Sequence, residues 1–426
     1  MIGVTRAVRW LAWTAMILIA MGLVGFAQQK VSFADRGLED AVRDAVYRSS
    51  GTLYDYDVSW LSVLDASERG ISDLSGIGVC SSLRDVDLRG NAIDDLSPLT
   101  DLDILQRVYL DDNQIDDLST LRRLPQLIEL TLGGNEIVDI GALTQLVFLE
   151  KLHLDDAALG DLEPLRGMTR LEDLIVQCAA NTDLSPIQAL ESLQHLDVTC
   201  DGPFDLSALG RMESLESVGL SSTKVDDFSP LRWVDSLTSL RLDDMLVDSL
   251  VPLVAAAPQL LRFGMEDMTL PDLGPLRELS ELRALGFARV DIEDLGIFLA
   301  FPHLIEVEVK GCGLEDIGAI SAIDELTSLN VAENEIDNLA AIATLRNLER
   351  LDVSGNPIAE IGLLRGLREL KVLDLSGTEV TDISVLLDLL HLEDVDLRDT
   401  PLAVGAGSAA SVVIERLRGR GVQVTL

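Results

Sequence analysis

The chain is poor in basic and aromatic residues and has few cysteines. Of its 426 residues, 33 are Lys or Arg and 72 are Asp or Glu, which gives a formal net charge of −39. Such a surface repels nucleic-acid phosphates and anionic lipid headgroups, so neither is an expected partner. Hydrophobic residues nevertheless make up 47% of the chain, too many for an acidic disordered protein. The composition predicts a large buried core under a carboxylate-rich surface.

The first 27 residues differ from the rest. Arg6 and Arg9 precede an uncharged apolar run over residues 11–26, and Gly25 and Ala27 are small residues before Gln28. This pattern is typical of a signal peptide that is cleaved on export. It predicts an extracellular or cell-envelope protein. The alternative is an uncleaved anchor, for which the run is slightly shorter than the ~20 residues of a membrane-spanning helix. No other membrane segment is expected.

A 22-residue repeat dominates the remaining sequence. From Leu83 the units LRDVDLRGNAIDDLSPLTDLDI, LQRVYLDDNQIDDLSTLRRLPQ and LIELTLGGNEIVDIGALTQLVF follow one another without a gap. The register runs from Leu61 to about Leu402, with one extra residue near residues 255–258, and comprises sixteen units. A repeat of this period predicts a solenoid in which each unit is stabilised by stacking on its neighbours.

The residue types within a unit predict its structure. Positions 1, 4 and 6 are apolar and positions 3, 5 and 7 are mostly polar, the period-2 pattern of a short strand. Asparagine at position 9 offers a side-chain amide to the backbone groups of the following turn. Proline is frequent at position 16 and favours a short 3₁₀ turn. Aspartate recurs at position 13, where we expect it to cap the amides that open this turn; the alternative is that this row of carboxylates binds cations. These aspartates are Asp73, Asp95, Asp117, Asp139, Asp161, Asp183, Asp205, Asp227, Asp272, Asp294, Asp316 and Asp382.

The ends of the array need covers. Helical spacing of apolar residues after Asp35 predicts a helix over residues 35–47, with Asp35 as its N-cap. A second helix over residues 409–417 and a strand over residues 422–426 are predicted at the other end. The predicted organisation is a signal peptide over residues 1–27, a helical N-terminal cap over 28–60, sixteen repeats over 61–403 and a C-terminal cap over 404–426.

The chain resembles the internalin-type class of bacterial leucine-rich-repeat proteins over residues 33–426. The resemblance rests on the L-x-x-L-x-L-x-x-N-x-I-x-D-L/I unit, the helical N-terminal cap and the export signal that precedes them. The resemblance implies an α/β solenoid, a right-handed superhelix with one parallel sheet and an irregular, 3₁₀-rich convex side. It also implies a binding protein whose ligand is set by variable outward positions. Two departures are that the middle units replace the position-9 asparagine and that no immunoglobulin-like module follows the array. Host-cell adhesion is therefore not implied.

The outward strand positions are the expected contact surface. They are mostly acidic, so we expect charge-steered binding of a protein with a basic surface, or of a basic polymer. The candidate partner-binding residues are Tyr109, Asp111, Lys151, His153, Asp155, Asp197, Arg241, Asp243 and Glu266. Tyr109 is the one aromatic residue among the outward positions and is the favoured hot spot.

Stacking also brings together the carboxylates of Asp243, Asp244, Glu266 and Asp267. The two interpretations are a solvated acidic edge and a divalent-cation site, with Ca²⁺ as the candidate ion. Otherwise no cofactor is expected.

Cys178 and Cys200 occupy the same position of consecutive units. In an exported protein this predicts a disulfide, with two free thiols as the alternative. Cys80 and Cys312 lie at core and turn positions, where a buried thiol is common.

Catalysis has little support in the sequence. His195, with Asp173 and Asp197 nearby in the register, is the nearest approach to a catalytic pair, and no serine or cysteine nucleophile is placed to use it. No glycine-rich phosphate loop joins a strand to a helix. We therefore expect a recognition protein that is not an enzyme. The alternative function is a structural envelope component whose acidity keeps it hydrated.

Overall fold

The computed structural model describes residues 29–426 apart from 201, 222, 223, 226, 270, 271, 293, 294 and 406, and apart from the side chain of Asp156. The predicted signal peptide and the predicted cap at Asp294 lie outside the described residues. The chain divides into two compact units, Met1–Ala157 and Ala158–Leu426.

Among its described residues, the first unit contains two short helices followed by parallel strands. Consecutive strands pair in register from β1 to β5, with residues 22 apart as neighbours. The helices are α1 (Arg36–Ala45) and α2 (Asp55–Val58), and the strands are β1 (Val63–Asp65), β2 (Asp85–Asp87), β3 (Arg107–Tyr109), β4 (Glu129–Thr131) and β5 (Lys151–Leu159), the last of which begins in this unit.

The second unit continues the same pattern. Its consecutive strands are parallel. They are β6 (Asp173–Cys178), β7 (His195–Cys200), β8 (Ser217–Ser221), β9 (Ser239–Asp243), β10 (Arg262–Glu266), β11 (Ala284–Ala288), β12 (Glu306–Lys310), β13 (Ser328–Asn330), β14 (Arg350–Asp352), β15 (Val372–Asp374), β16 (Asp394–Asp396) and β17 (Gln423–Thr425). The α-helices seen in the described part of this unit are α3 (Val251–Ala256) and α4 (Ala409–Gly419).

The return half of most repeats is a short 3₁₀ turn. The turns Ser97–Asp101 and Ser119–Arg123 are representative. One exception is α3, which lies where the repeat has its extra residue and replaces the 3₁₀ turn by an α-helix of six residues. An α-helix rises less per residue than a 3₁₀-helix, so it takes up the additional residue without breaking the register of the strands on either side.

The core consists of the inward repeat positions. Leu83, Val86 and Leu88 are fully buried in the second repeat, and the equivalent residues of the other repeats are buried as well. The predicted fold class, a right-handed leucine-rich-repeat solenoid with parallel strands, 3₁₀ turns and a helical N-terminal cap, is confirmed.

Position-9 asparagines tie the turns to one another. The amide of Asn113 donates to the carbonyls of Leu88 and Leu110, at 3.0 Å each, and its oxygen accepts from the backbone N–H of Ile93 at 3.0 Å. Each asparagine therefore bonds its own turn and that of the preceding repeat. Asn91, Asn135, Asn334 and Asn356 make the equivalent bonds.

The cap helices form close to the predicted positions. Asp35 accepts from the backbone N–H groups of Gly37 and Leu38 at 2.7 and 3.2 Å, which makes it the N-cap of α1. At the C-terminus α4 continues to Gly419, two residues beyond the prediction, and the chain then turns at Gly421 with a φ of +89°. Strand β17 pairs with β16.

Candidate interaction surface

The position-13 aspartates stabilise the turns. Asp117 accepts from the backbone N–H of Ser119 at 2.8 Å and from its hydroxyl, and these bonds hold the pKa of Asp117 below its usual value. The predicted capping is seen at every one of these aspartates that the structure describes, namely Asp73, Asp95, Asp117, Asp139, Asp161, Asp183, Asp205, Asp227, Asp272, Asp316 and Asp382. These carboxylates are therefore committed to the fold.

We call the outward positions 3, 5 and 7 of the strands the strand face. In the first unit its centre is Tyr109, which is half-buried and lies with its ring centroid 5.6 Å from the guanidinium of Arg89. Arg107 pairs with Asp85 at 3.0 Å and with Glu129 at 3.5 Å. Burial, and next the negative charge of Glu129, raise the pKa of Tyr109. The predicted hot-spot aromatic is thus held within a charged cluster, with part of its ring accessible.

Asp111 is bound to the fold more firmly than the sequence indicated. Its carboxylate accepts from the hydroxyl of Thr131 and, at 2.9 Å, from the backbone N–H of Gly133. A charge reversal here would remove two bonds that fix the next repeat. A substitution of Asp111 would therefore lower stability as well as affect binding, and the two effects could not be separated.

Strand β5 carries three candidates on its outward side. Lys151 and Asp155 are exposed and His153 is half-buried, whereas the alternate residues Leu152 and Leu154 are fully buried. The carboxylate of Asp155 lies over Gly133, because a Cβ placed on that glycine would be only 2.5 Å from its Oδ1. A side chain at position 133 would therefore collide with Asp155.

In the second unit, the carboxylate of Asp197 on β7 lies over Gly219 of β8, where a Cβ would overlap it at 1.7 Å. Arg241 is exposed on β9. Asp243, two residues further, is half-buried and accepts from the hydroxyl of Ser221 at 3.1 Å. Burial raises the pKa of Asp243.

The four carboxylates of the predicted cation site do lie on neighbouring repeats, but an arginine lies among them. The guanidinium of Arg289 is 2.7 Å from the carboxylate of Asp267 and also pairs with Glu266. Within the part of the chain that the structure describes, no group of three or more His, Cys, Asp or Glu residues is arranged to hold a metal ion. This geometry does not support the cation site, which stays an untested prediction, because a cation would have to displace Arg289.

A depression on the strand face of β9–β12 was not predicted. It has a volume of about 260 Å³ and its floor is bare backbone at Gly264 and Gly286, which are register neighbours. Arg241 and Glu308 stand at its two ends in the same row of position-5 residues. The signal available in the sequence was glycine at position 5 of two consecutive repeats, between an arginine and a glutamate.

Cys178 and Cys200 are register partners at the ends of β6 and β7. Both thiols are buried and reduced in this structure. A hydrogen bond from the neighbouring thiol, followed by burial, raises the pKa of Cys178. The adjacency is as predicted, and the disulfide itself stays a prediction. Cys80 is fully buried, which raises its pKa to about 12.

His195 faces Asp173 across the pairing of β6 with β7, and Asp197 lies two residues further along β7. This is the arrangement that the repeat register predicts.

Two family models match the chain, one for two copies of the leucine-rich repeat over residues 346–388 and one for a single leucine-rich repeat over residues 79–96. The two matched segments are therefore leucine-rich repeats. No curated protein sequence matches the chain.

Solved leucine-rich-repeat structures are similar to it. The functional domain of InlJ from Listeria monocytogenes, described as including a cysteine ladder, is 20% identical with a TM-score of 0.50, over 87% of this chain and 82% of that one. The internalin InlF from the same organism is 25% identical with a TM-score of 0.48, over 87% of this chain and 98% of that one. The resemblance to internalin-type proteins is thus confirmed at the level of the fold.

A third leucine-rich-repeat structure is the ectodomain of the receptor kinase GASSHO1/SCHENGEN3 from Arabidopsis thaliana, in complex with CASPARIAN STRIP INTEGRITY FACTOR 2. It is 21% identical with a TM-score of 0.45, over 81% of this chain and 45% of that one. Among the described residues of this chain, no helix is long and apolar enough to cross a membrane.

Proposed function

We propose that the chain is an exported recognition module that binds a protein with a basic surface, or a basic polymer, through its acidic strand face. The observation that carries this proposal is that the fold uses the polar residues of some repeat positions and not those of others. The position-9 asparagines and position-13 aspartates are bonded to the backbone, and the leucines are packed in the core. Of the regular positions, the outward strand positions are the ones left to set specificity.

The nine candidate residues contribute unequally to this surface. Lys151, Asp155 and Arg241 are exposed, so a partner could contact them without disturbing the core. Asp111 serves the fold. The remaining candidates are half-buried and offer part of their side chains for contact, namely Tyr109, His153, Asp197, Asp243 and Glu266.

Charge should govern the rate at which the partner binds. The chain has a formal net charge of −39, and a field of this sign accelerates encounter with a cationic surface. Between low and physiological salt the screening length contracts to about 8 Å. The association rate constant should therefore fall steeply over this range, whereas the dissociation rate constant should change little.

The experiment is capture from the native extracellular fraction with tagged protein, followed by binding kinetics with the captured partner. Asp155→Lys should weaken binding without lowering the melting temperature, because Asp155 is exposed. Asp116→Lys is the matched control, since it makes the same charge change at an exposed residue of a turn. If Asp116→Lys weakens binding as much as Asp155→Lys, the turns rather than the strand face bind the partner, and the proposal is wrong.

Export is the second part of the proposal and rests on the N-terminal sequence pattern. N-terminal sequencing of the secreted protein should find Gln28, or a residue within one or two of it, as the first residue. Protein that keeps Met1 and stays with the membrane fraction would show that residues 11–26 serve as an anchor.

The alternative is a structural envelope component whose charge keeps it hydrated. The observation that favours it is the large excess of carboxylates on exposed turns as well as on the strand face. Such a component would bind any polycation weakly and lose the attraction in salt. Saturable binding of one partner at physiological salt distinguishes the recognition module from it.

A further inference from the structure

The depression on β9–β12 forms because two outward positions carry no side chain. Arg241, Gly264, Gly286 and Glu308 are register neighbours in one row across four strands. With strands ~4.8 Å apart, the bare floor separates Arg241 from Glu308 by about three strand spacings, or ~14 Å. This length and the volume of about 260 Å³ accommodate one long side chain lying across the strands.

The fold does not require glycine at either floor position. Neither Gly264 nor Gly286 has a positive φ. A Cβ on Gly264 would meet Cγ of Arg241 at 3.7 Å, and one on Gly286 would meet Glu308 at 3.5 Å, both ordinary contacts. Gly219 differs, since a Cβ there would overlap Asp197. Glycine weakens a strand and β-branched residues strengthen it. The two glycines therefore destabilise their strands at positions where the backbone conformation would accept a larger residue.

Glu308 provides the chemistry at one end of the depression. Its side chain is half-buried, and its Oε2 lies 3.5 Å from the place that a Cβ on Gly286 would take, so the carboxylate reaches over the floor. It accepts a hydrogen bond from the amide of Asn330 at 3.2 Å. Burial, together with repulsion from Glu266, raises the pKa of Glu308.

Two neighbouring cations are paired with other carboxylates. Arg262 reaches across β11 to pair with Glu306 at 3.3 Å, and this pair forms one side of the depression. Lys310 pairs with Glu333 at 3.2 Å. The carboxylate of Glu308 is therefore partly desolvated and accepts a hydrogen bond from an amide, which leaves acceptor capacity for an incoming cation.

We propose that this depression binds the side chain of one arginine or lysine of the partner, with the stem over Gly264 and Gly286 and the charge at Glu308. The inference rests on the proposed function and names the contact that a basic partner makes. A half-buried carboxylate beside bare backbone suits such a residue, because the stem lies over backbone that is already paired within the sheet while the charged group meets an acceptor.

The first experiment uses N-acetyl-arginine amide as the probe and the backbone amide signals of Gly264 and Gly286 in NMR spectra of the protein as the readout. Both signals should shift saturably with the probe. N-acetyl-citrulline amide, the uncharged analogue of similar shape, should leave them in place. Glu308→Gln should remove the response, whereas Glu325→Gln, the same change at an exposed turn residue, should retain it. Equal shifts with the citrulline probe, or an unchanged response in Glu308→Gln, would overturn the proposal.

A second variant tests the shape of the site. Gly286→Val fills the floor with a residue that favours strands, so its melting temperature should equal or exceed that of the wild type. The arginine probe should no longer bind. If the valine variant melts lower, Gly286→Ala makes the same test with one added carbon at ordinary contact distance. Probe binding that survives a well-folded substitution at position 286 contradicts a site over this glycine.

The captured partner separates this inference from the proposed function. If Asp155→Lys weakens partner binding but Glu308→Gln and Gly286→Val do not, the strand face binds the partner and the depression does not. If no partner is captured but the arginine probe binds as described, the site exists and the proposed function fails. We expect Glu308→Gln to weaken partner binding at least tenfold, mainly through faster dissociation.

Discussion

Removal of a position-9 asparagine is a quantitative test of how the turns are held. In Asn113→Ala the carbonyl of Leu88 keeps the amide of Asn91 at 2.8 Å, and that of Leu110 keeps the amide of Asn135 at 3.0 Å. The N–H of Ile93, which bonds to the side chain of Asn113, is left without its acceptor. An unsatisfied buried backbone group costs about 1–3 kcal/mol, so the variant should lose about 2 kcal/mol of unfolding free energy.

Asn356 lies at the end of its run of asparagines, and Asn356→Ala should lose more unfolding free energy than Asn113→Ala. Its oxygen accepts from the N–H of Ile336 at 3.0 Å and its amide donates to the carbonyl of Val353 at 3.0 Å. The next repeat has Thr378, whose hydroxyl bonds to the carbonyl of Leu375 and not to that of Val353. Asn356→Ala therefore leaves two groups without these partners, and the loss should be about twice as large, on the order of 4 kcal/mol.

The assay is urea unfolding followed by circular dichroism, with Asn347→Ala as the control. The amide of Asn347 also donates to a backbone carbonyl, that of Asp324, at 2.9 Å, but at an exposed position where water replaces it. The control should stay within about 0.5 kcal/mol of the wild type. Equal losses in the Asn113 and Asn356 variants would refute the count of unsatisfied groups, and a loss below about 0.5 kcal/mol in both would refute the role of the asparagines.

Three further predictions concern the cysteines, the caps and the acidic edge. Non-reducing peptide mapping of the exported protein should find Cys178 joined to Cys200; thiol labelling of both in unfolded, unreduced protein would contradict this, and the bridge should stabilise the fold by about 3 kcal/mol. Hydrogen bonds from Ser119 lower the pKa of Asp117 in the folded state. The stabilisation of the fold by the ionised carboxylate is therefore complete above the ordinary pKa of 3.8 and is lost as pH falls through the lower folded value. Asp117→Asn should narrow the difference in melting temperature between pH 6 and pH 3, and an unchanged difference would count against the cap. Arg289 pairs with Glu266 and Asp267, so its removal would leave these carboxylates open to a cation. If they form a cation site, millimolar Ca²⁺ should raise the melting temperature of Arg289→Ala more than that of the wild type. Equal rises would indicate general screening of charge.

The repeat register allowed much of the fold to be predicted. A fixed period with alternating apolar residues places strands such as β2 (Asp85–Asp87) and decides which side chains face inward. The capping aspartates were predictable because their bonds are local, two residues along the chain. Such interactions depend on sequence spacing alone.

The parts that could not be predicted depend on side chains that reach across repeats. Arg289 extends to Glu266 and Asp267 of the preceding repeat, and Arg262 extends over β11 to Glu306. The repeat register places these residues near one another but does not decide which of several carboxylates a long arginine selects. The depression is hard to recognise in the sequence for a related reason, since its floor is defined by missing side chains, whereas charged and aromatic residues are the usual sequence signs of a binding site.

The middle repeats that lack asparagine at position 9 have longer strands, and some of these strands form the candidate site. Repeats with asparagine at position 9 have strands of three residues, as in β3 and β14, because the amide takes the carbonyls that follow the strand. In the second unit the strands β6–β12 have five or six residues, and their repeats lack this asparagine. Without the competing amide, backbone pairing continues through position 7, which brings Asp243 and Glu266 into the sheet as register partners. The residues that depart from the repeat pattern thus widen the strand face at the depression between Arg241 and Glu308.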